Sequence, residues 1–183
     1  HPVSDPRPLA TLCGRRVAAD RGLIMAIVNR TPDSFFDKGA TFDDAPAMER
    51  VRTAVADGAD IIDIGGVKAG PGEEVDSAEE IDRVVPTIAR VHERHPEVLI
   101  SVDTWRSEVA EAAIAAGAGL VNDTWAGWDP ELIEVAGHHR VGYVCSHTGG
   151  ITPRTRPHRV HFDDVVADVI AETTQLAERA ASL

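Results

Sequence analysis

The chain has 183 residues, 43% of them apolar, and a formal net charge of -12 at pH 7. That length suits one domain with a substantial core. The acidic balance disfavours a nucleic-acid partner, whose phosphates need clustered Lys and Arg, and no apolar run is long enough to cross a membrane.

The opening "HPVSDPRP" has no signal-peptide pattern. Residues 1–10 are expected to form a flexible arm ahead of one domain over 11–183. "TLCGRRV" reads as a short hairpin turning at Gly14. "LIMAIVN", 23 to 29, is an apolar strand that ends in Asn. A polar loop follows, then a helix from about Asp44 to Asp57, with Ala45, Met48, Val51, Ala54 and Val55 on one face. Gly58 stops it, and "ADIIDIGG" is the second strand. "SAEEIDRVVPTIARVHERHP" is the second helix. Ser77 and Glu80 are spaced as a capping box, and Pro86 is a candidate kink. "VLISVDT" is the third strand, and "SEVAEAAIAAGA" a third helix ended by Gly117. "GLVNDT" is the fourth strand, and "PELIEVAGH" a short helix with Pro130 in its first turn. "VGYVCSHT" is the fifth strand, and "FDDVVADVIAETTQLAERAA" the fifth helix.

This is a run of five β-α units of about thirty residues each. Strands of near-continuous Val, Ile and Leu imply a parallel sheet covered on both faces. A doubly wound open sheet suits the length. A (β/α)8 barrel needs roughly 250 residues and three more units. The strand ends separate the two. They carry Asn29, Asp63 with Gly65, Asp103, Asn122 with Asp123, and His147 in turn. An open sheet concentrates polar ends at one switch point. A polar group on every strand describes the rim of a barrel. Singly, each has a plainer reading: Asp123 and Asp129 as caps, Asp63 as a structural carboxylate bonded to backbone amides.

Other signals are weaker. Cys13 and Cys145 have no metal-type spacing and fit a reduced, cytoplasmic setting. The adjacent His138 and His139 point in different directions on any regular element, which argues against one shared metal. The basic run "RTRPHR", 154 to 159, reads as a solvated loop in preference to an anion site.

"IMAIVNRTPDSFFDKGAT" resembles the first-strand signature of the dihydropteroate synthase family. "ADIIDIGG" with its following Pro-Gly, "ISVDTWR", "GAGLVNDTWAG" and "SHTGG" follow in that family's order, so the resemblance runs from about Leu12 to the end. It implies a TIM barrel of which this chain supplies the first five units. It also implies a pterin site, cytoplasmic folate chemistry and a Mg²⁺ cofactor. In the family the amine of p-aminobenzoate displaces pyrophosphate from a pterin methylene. The matching Asn29 is implied as the Mg²⁺ contact, and Asp103 and Asn122 as the residues holding the pterin. Phe35 and Asp37 lie in the loop that closes over the family's site. The implied partner is pterin pyrophosphate or a related small phosphorylated ligand, with a homodimer as the implied assembly.

Two departures limit the resemblance. At "GGVKAGPG", 65 to 72, the family reads Gly-Gly-Glu-Ser-Thr-Arg-Pro-Gly, so Val67, Lys68, Ala69 and Gly70 replace four polar groups. Lys68 restores one charge, but as a mobile ammonium rather than a planar fork. The family's last three strands also have no counterpart here. The expectation is an incomplete, diverged paralogue that keeps a pterin-like pocket with weak or absent synthase activity. The alternatives are an active synthase and a pterin-barrel methyltransferase module acting with a corrinoid partner. Arg30 and Trp105 stand beside the rim without an assigned role.

Overall fold

The computed structural model describes residues 9–31, 44–155 and 160–183. The first two strands form the expected hairpin, β1 (Leu9–Leu12) paired antiparallel with β2 (Arg15–Ala18). Its two turn residues, Cys13 and Gly14, both have positive φ, 50° and 74°, as a tight two-residue hairpin turn requires.

Five parallel strands follow in sequential order: β3 (Met25–Asn29), β4 (Ile61–Gly65), β5 (Leu99–Asp103), β6 (Leu120–Asn122) and β7 (Gly142–Val144). The helices between them are α1 (Asp44–Ala56), α2 (Ser77–Arg94), α3 (Ser107–Ala115) and α4 (Pro130–His139); α5 (Val165–Ser182) comes last. This is an arc of a TIM barrel, five of its eight units in chain order.

Strand side chains alternate between faces. Val28, Ile62, Ile64, Ile100, Val102 and Val121 lie on the helix side and join Val51, Val84, Ile88, Val91, Val109 and Leu132 in one buried core. The alternate residues face the barrel interior. At its amino end Ile61, Leu99 and Leu120 form a second cluster with Leu12 and Cys13 of the hairpin, which covers that end of the arc.

Several local expectations are corrected. The cap of α2 is Asp76, whose carboxylate accepts the Glu79 amide at 2.8 Å. Glu80 is not a capping partner, because it is wholly buried beneath the strand ends. The buried face of α1 runs through Ala47, Met48 and Val51, and Ala45 is exposed. Helix α2 continues through Pro86, which sits on its exposed face, where the carbonyl left without a partner can bond water. The fifth strand is only three residues long, and "CSHT" leaves the sheet. The His138 and His139 rings do not diverge but meet edge-to-face at 5.0 Å.

Gly66 marks where the chain leaving β4 must pass close beneath α2. A Cβ there would lie 2.9 Å from Val84 Cγ1, in the fully buried core. Gly66→Ala is therefore expected to destabilise the chain by about 1–3 kcal/mol through overpacking. Urea denaturation measures this, and an unchanged midpoint would show that α2 yields freely.

Candidate functional site

The parallel register sets the site. Asn29, Gly65, Asp103 and Asn122 are successive lateral partners across β3 to β6, each the last residue of its strand. One layer below, Ile27, Asp63, Ser101 and Leu120 are partners in the same way. Parity places both rows on the barrel-interior face. The structure thus brings Asn29, Asp103 and Asn122 to one end of the arc.

Gly65 makes room for the acid. A Cβ at that position would stand 3.3 Å from Asp103 Oδ2. Asp103 accepts a bond from Thr124 Oγ1 at 3.3 Å. Burial pushes its carboxyl up to about 7, the Asp63 charge adds to the rise, and the Thr124 hydroxyl opposes it.

Asp63 is 3% exposed. The expectation of bonds to backbone amides is corrected, because Asp63 Oδ2 accepts the Asn122 side-chain Nδ2 at 3.1 Å. Its Oδ1 has no partner among the described residues, and neither has the buried Ser101 Oγ in the same layer. With its amide nitrogen engaged below, Asn122 keeps its carbonyl oxygen as an acceptor. Sequence reading missed this pairing and the Thr124 bond. The alternation in "IIDIG" could have found the first, since an acid at an inward position needs an inward donor.

Asp123 and Asp129 are structural. Asp123 accepts the amides of Trp125 and Gly127 at 2.9 and 2.7 Å, together with the Tyr143 hydroxyl. It therefore braces a turn rather than capping a helix. Asp129 caps α4 through the Glu131 amide at 3.0 Å and also accepts the Ser107 amide at 2.8 Å. His147 turns toward α5, with Nε2 2.6 Å from Asp168 Oδ2. Trp105 meets Trp125 edge-to-face at 6.3 Å and lies under the Arg106 guanidinium at 4.6 Å. Arg30 is buried, and its amide donates to the Gly65 carbonyl at 2.7 Å. Phe35 and Asp37 lie outside the described residues, as do 156–159 of the basic run.

The loop after β4 is fixed by its backbone. Arg83 donates to the Gly66 carbonyl at 2.8 Å, Arg106 to that of Val75 at 2.6 Å, and Arg154 to that of Glu73 at 2.6 Å. Arg106 is itself held by the buried Glu80 at 2.5 Å. Lys68, Ala69 and Gly70 are exposed within this frame. Ala69 borders a cavity of about 450 Å³ whose walls include Thr124, Trp125, Ile151 and Phe162.

The arc thus carries a carboxylate and an amide side by side at its rim, and comparison with known proteins gives its family. Residues 25–183 match the family described as Pterin binding enzyme; the chain belongs to that family. It is 63% identical over 174 residues to Inactive dihydropteroate synthase 2 of Mycobacterium tuberculosis, an alignment covering 93% of this chain and 55% of that relative. It resembles the solved Mycobacterium tuberculosis Rv1207 with a TM-score of 0.71 and 47% identity, over 95% of this chain and 60% of that one. It also resembles dihydropteroate synthase from Xanthomonas albilineans in complex with 7,8-dihydropteroate. There the TM-score is 0.76 and the identity 35%, over 96% of this chain and 61% of that one. The chain thus spans little more than half the length of the curated relative.

The raised Asp103 carboxyl gives a pH signature. Between the ordinary carboxylate range and about 7, the folded chain holds a proton that the unfolded chain has released. Its contribution to stability is therefore full at acid pH and declines as pH rises through that window. Asp103→Asn is expected to flatten this decline between pH 4 and about 7. Denaturation midpoints of both proteins across that range test it; parallel pH profiles would count against a proton held at Asp103.

Proposed function

We propose that this chain is the pterin-binding part of a dihydropteroate synthase-like protein of folate-biosynthesis type. Its standard synthase activity is weak or absent. The observation that carries the reading is the lateral pairing of Asp103 with Asn122 at the rim beside a loop whose residues 67–70 keep one polar side chain, that of Lys68. A pterin edge presents alternating N–H donors and acceptor nitrogens. Ionised Asp103 accepts from ring N–H groups, and the free Asn122 oxygen accepts another. The Xanthomonas neighbour is described with a pterin-containing ligand, 7,8-dihydropteroate, which supports a ligand of this type here.

The family's Mg²⁺ fits the donor set. Asn29 offers one exposed amide oxygen at the strand end, and Mg²⁺ takes hard oxygen ligands while keeping several waters. Asn29 would hold the ion, which when bound neutralises charge on the pyrophosphate. Phe35 and Asp37 complete the reading as residues of the covering loop. The free thiols of Cys13 and Cys145 suit a cytoplasmic setting. A homodimer belongs to the same reading, and the exposed Val165, Val166, Val169 and Ile170 of α5 offer apolar surface for it.

The altered loop argues against full activity. Displacement requires the attacking amine in line with the pterin methylene, and small misplacements are costly. "VKAG" presents one mobile ammonium where the family presents two hydroxyls, a carboxylate and a guanidinium. The relative named inactive is 63% identical, which favours the same outcome here.

Isothermal titration with the pterin pyrophosphate, then with p-aminobenzoate, tests the proposal in the complete protein. The pterin is expected to bind, and the second addition to give little product. Turnover at ordinary enzyme rates, about 1–10³ per second, would overturn the reading and establish an active synthase. Asp103→Asn replaces an acceptor by a donor against a ring N–H. Pterin affinity is expected to fall by about 2 kcal/mol, roughly 30-fold; an unchanged dissociation constant removes Asp103 from the site. Restoring Glu-Ser-Thr-Arg at 67–70 is expected to raise synthesis clearly, as read by product formation. Continued silence with pterin still bound would place the defect elsewhere.

A further inference from the structure

We propose that His147, Asp168 and Glu172 bind a divalent transition-metal ion, with zinc as the best-matched occupant. The three come from two elements. His147 lies just beyond β7, whereas Asp168 and Glu172 are four residues apart on α5 and so share one helix face. His147 Nε2 is 2.6 Å from Asp168 Oδ2 and 3.5 Å from Glu172 Oε2. All three candidate ligand atoms lie within 4.8 Å of one another.

The imidazole is held in place. Its side chain is only 14% exposed, and the Phe162 ring packs on it at 5.5 Å. Asp168 and Glu172 are 39% and 41% exposed, so an ion can reach the cluster from solvent.

An ion pair alone explains only half of this arrangement. One Nε2–H serves one carboxylate, and Asp168 has it. Glu172 converges on the same nitrogen at 3.5 Å, with no second donor for it among the described residues. A divalent cation between the three resolves that: neutral imidazole supplies a lone pair, and two carboxylates balance the charge. Ligands about 2.0–2.2 Å from a tetrahedral zinc stand roughly 3.3–3.6 Å apart. Metal entry would thus widen the His147–Asp168 contact slightly and nearly preserve the His147–Glu172 one. One imidazole with two carboxylates suits zinc or manganese, whereas magnesium prefers oxygen throughout. The cluster is separate from Asn29, since β3 and β7 are the two ends of the strand order. His147 also walls the cavity of about 450 Å³ together with Thr124 and Thr148, so a bound ion would stand at the cavity's edge. The proposal is independent of pterin binding.

The test uses the chain stripped with a chelator and then freed of it. Calorimetric titration with Zn²⁺ is expected to show one saturable site, and Co²⁺ to give visible absorption bands from the same site. His147→Ala and, separately, Glu172→Gln are expected to weaken Zn²⁺ binding by more than the roughly 100-fold that changes around a metal's ligands reach. His139→Ala, in the exposed His138–His139 patch, leaves it unchanged. Circular dichroism checks the fold of each variant, and the isosteric, exposed Glu172→Gln carries the test if His147→Ala does not fold. No saturable uptake would overturn the proposal and leave a plain ion pair. Uptake unchanged by Glu172→Gln, or lost in His139→Ala, would place the ion elsewhere and overturn it equally.

Discussion

Room for the Asp103 carboxylate depends on the missing side chain at Gly65. The two residues are lateral partners in adjacent strands, and any Cβ on β4 there would press on Asp103 Oδ2 at 3.3 Å. That gap lets an acid stand at the rim with a second acid, Asp63, one layer below. Burial pushes the upper carboxyl up to about 7, and the charge of the acid below adds to the rise. Asn122 mediates between the layers, giving its amide N–H to Asp63 and keeping its oxygen. The pairing of acid and amide at the mouth follows from register and one glycine.

The loop after β4 shows how a frame can outlast its chemistry. Three arginines grip it, and each bonds a backbone carbonyl: Gly66, Glu73 or Val75. A carbonyl is present whatever the side chain. Residues 67–70 can therefore change without releasing the loop, and only the groups presented to a second substrate are altered. Glu80 underlies this frame. Buried and paired with Arg106, it costs desolvation that its partner offsets, and removal of either member would leave a buried charge uncompensated.

The arc leaves apolar surface in view. Met25 and Ile27 on the interior face of β3 are 36% and 54% exposed, and α5 exposes a row of valines with Ile170. A closed barrel covers such positions by pairing its edge strands and packing helices around them.

Element order and the parallel sheet were legible in the sequence, because strands covered on both faces must be continuously apolar and helices must repeat their apolar face. The polar strand ends were legible for the same reason, since each interrupts such a run. The altered loop was legible because Pro71 and Gly72 preserve its frame around the changed residues. Boundaries were less so. The cap at Asp76 rather than Ser77, and Ala47 rather than Ala45 on the buried face of α1, differ by one or two positions because composition there permits either. Chain order alone could not show that Asn122 bonds Asp63, 59 residues away. Nor could it show that Thr124 reaches Asp103, or that His147 meets two carboxylates of α5. Those contacts depend on strand register and on where a helix crosses, and distance along the chain carries no record of either. Sequence by itself determined which groups this protein carries at the ends of its strands; tertiary structure decided which of them face one another, because pairing parallel strands side by side converts distant positions into neighbours.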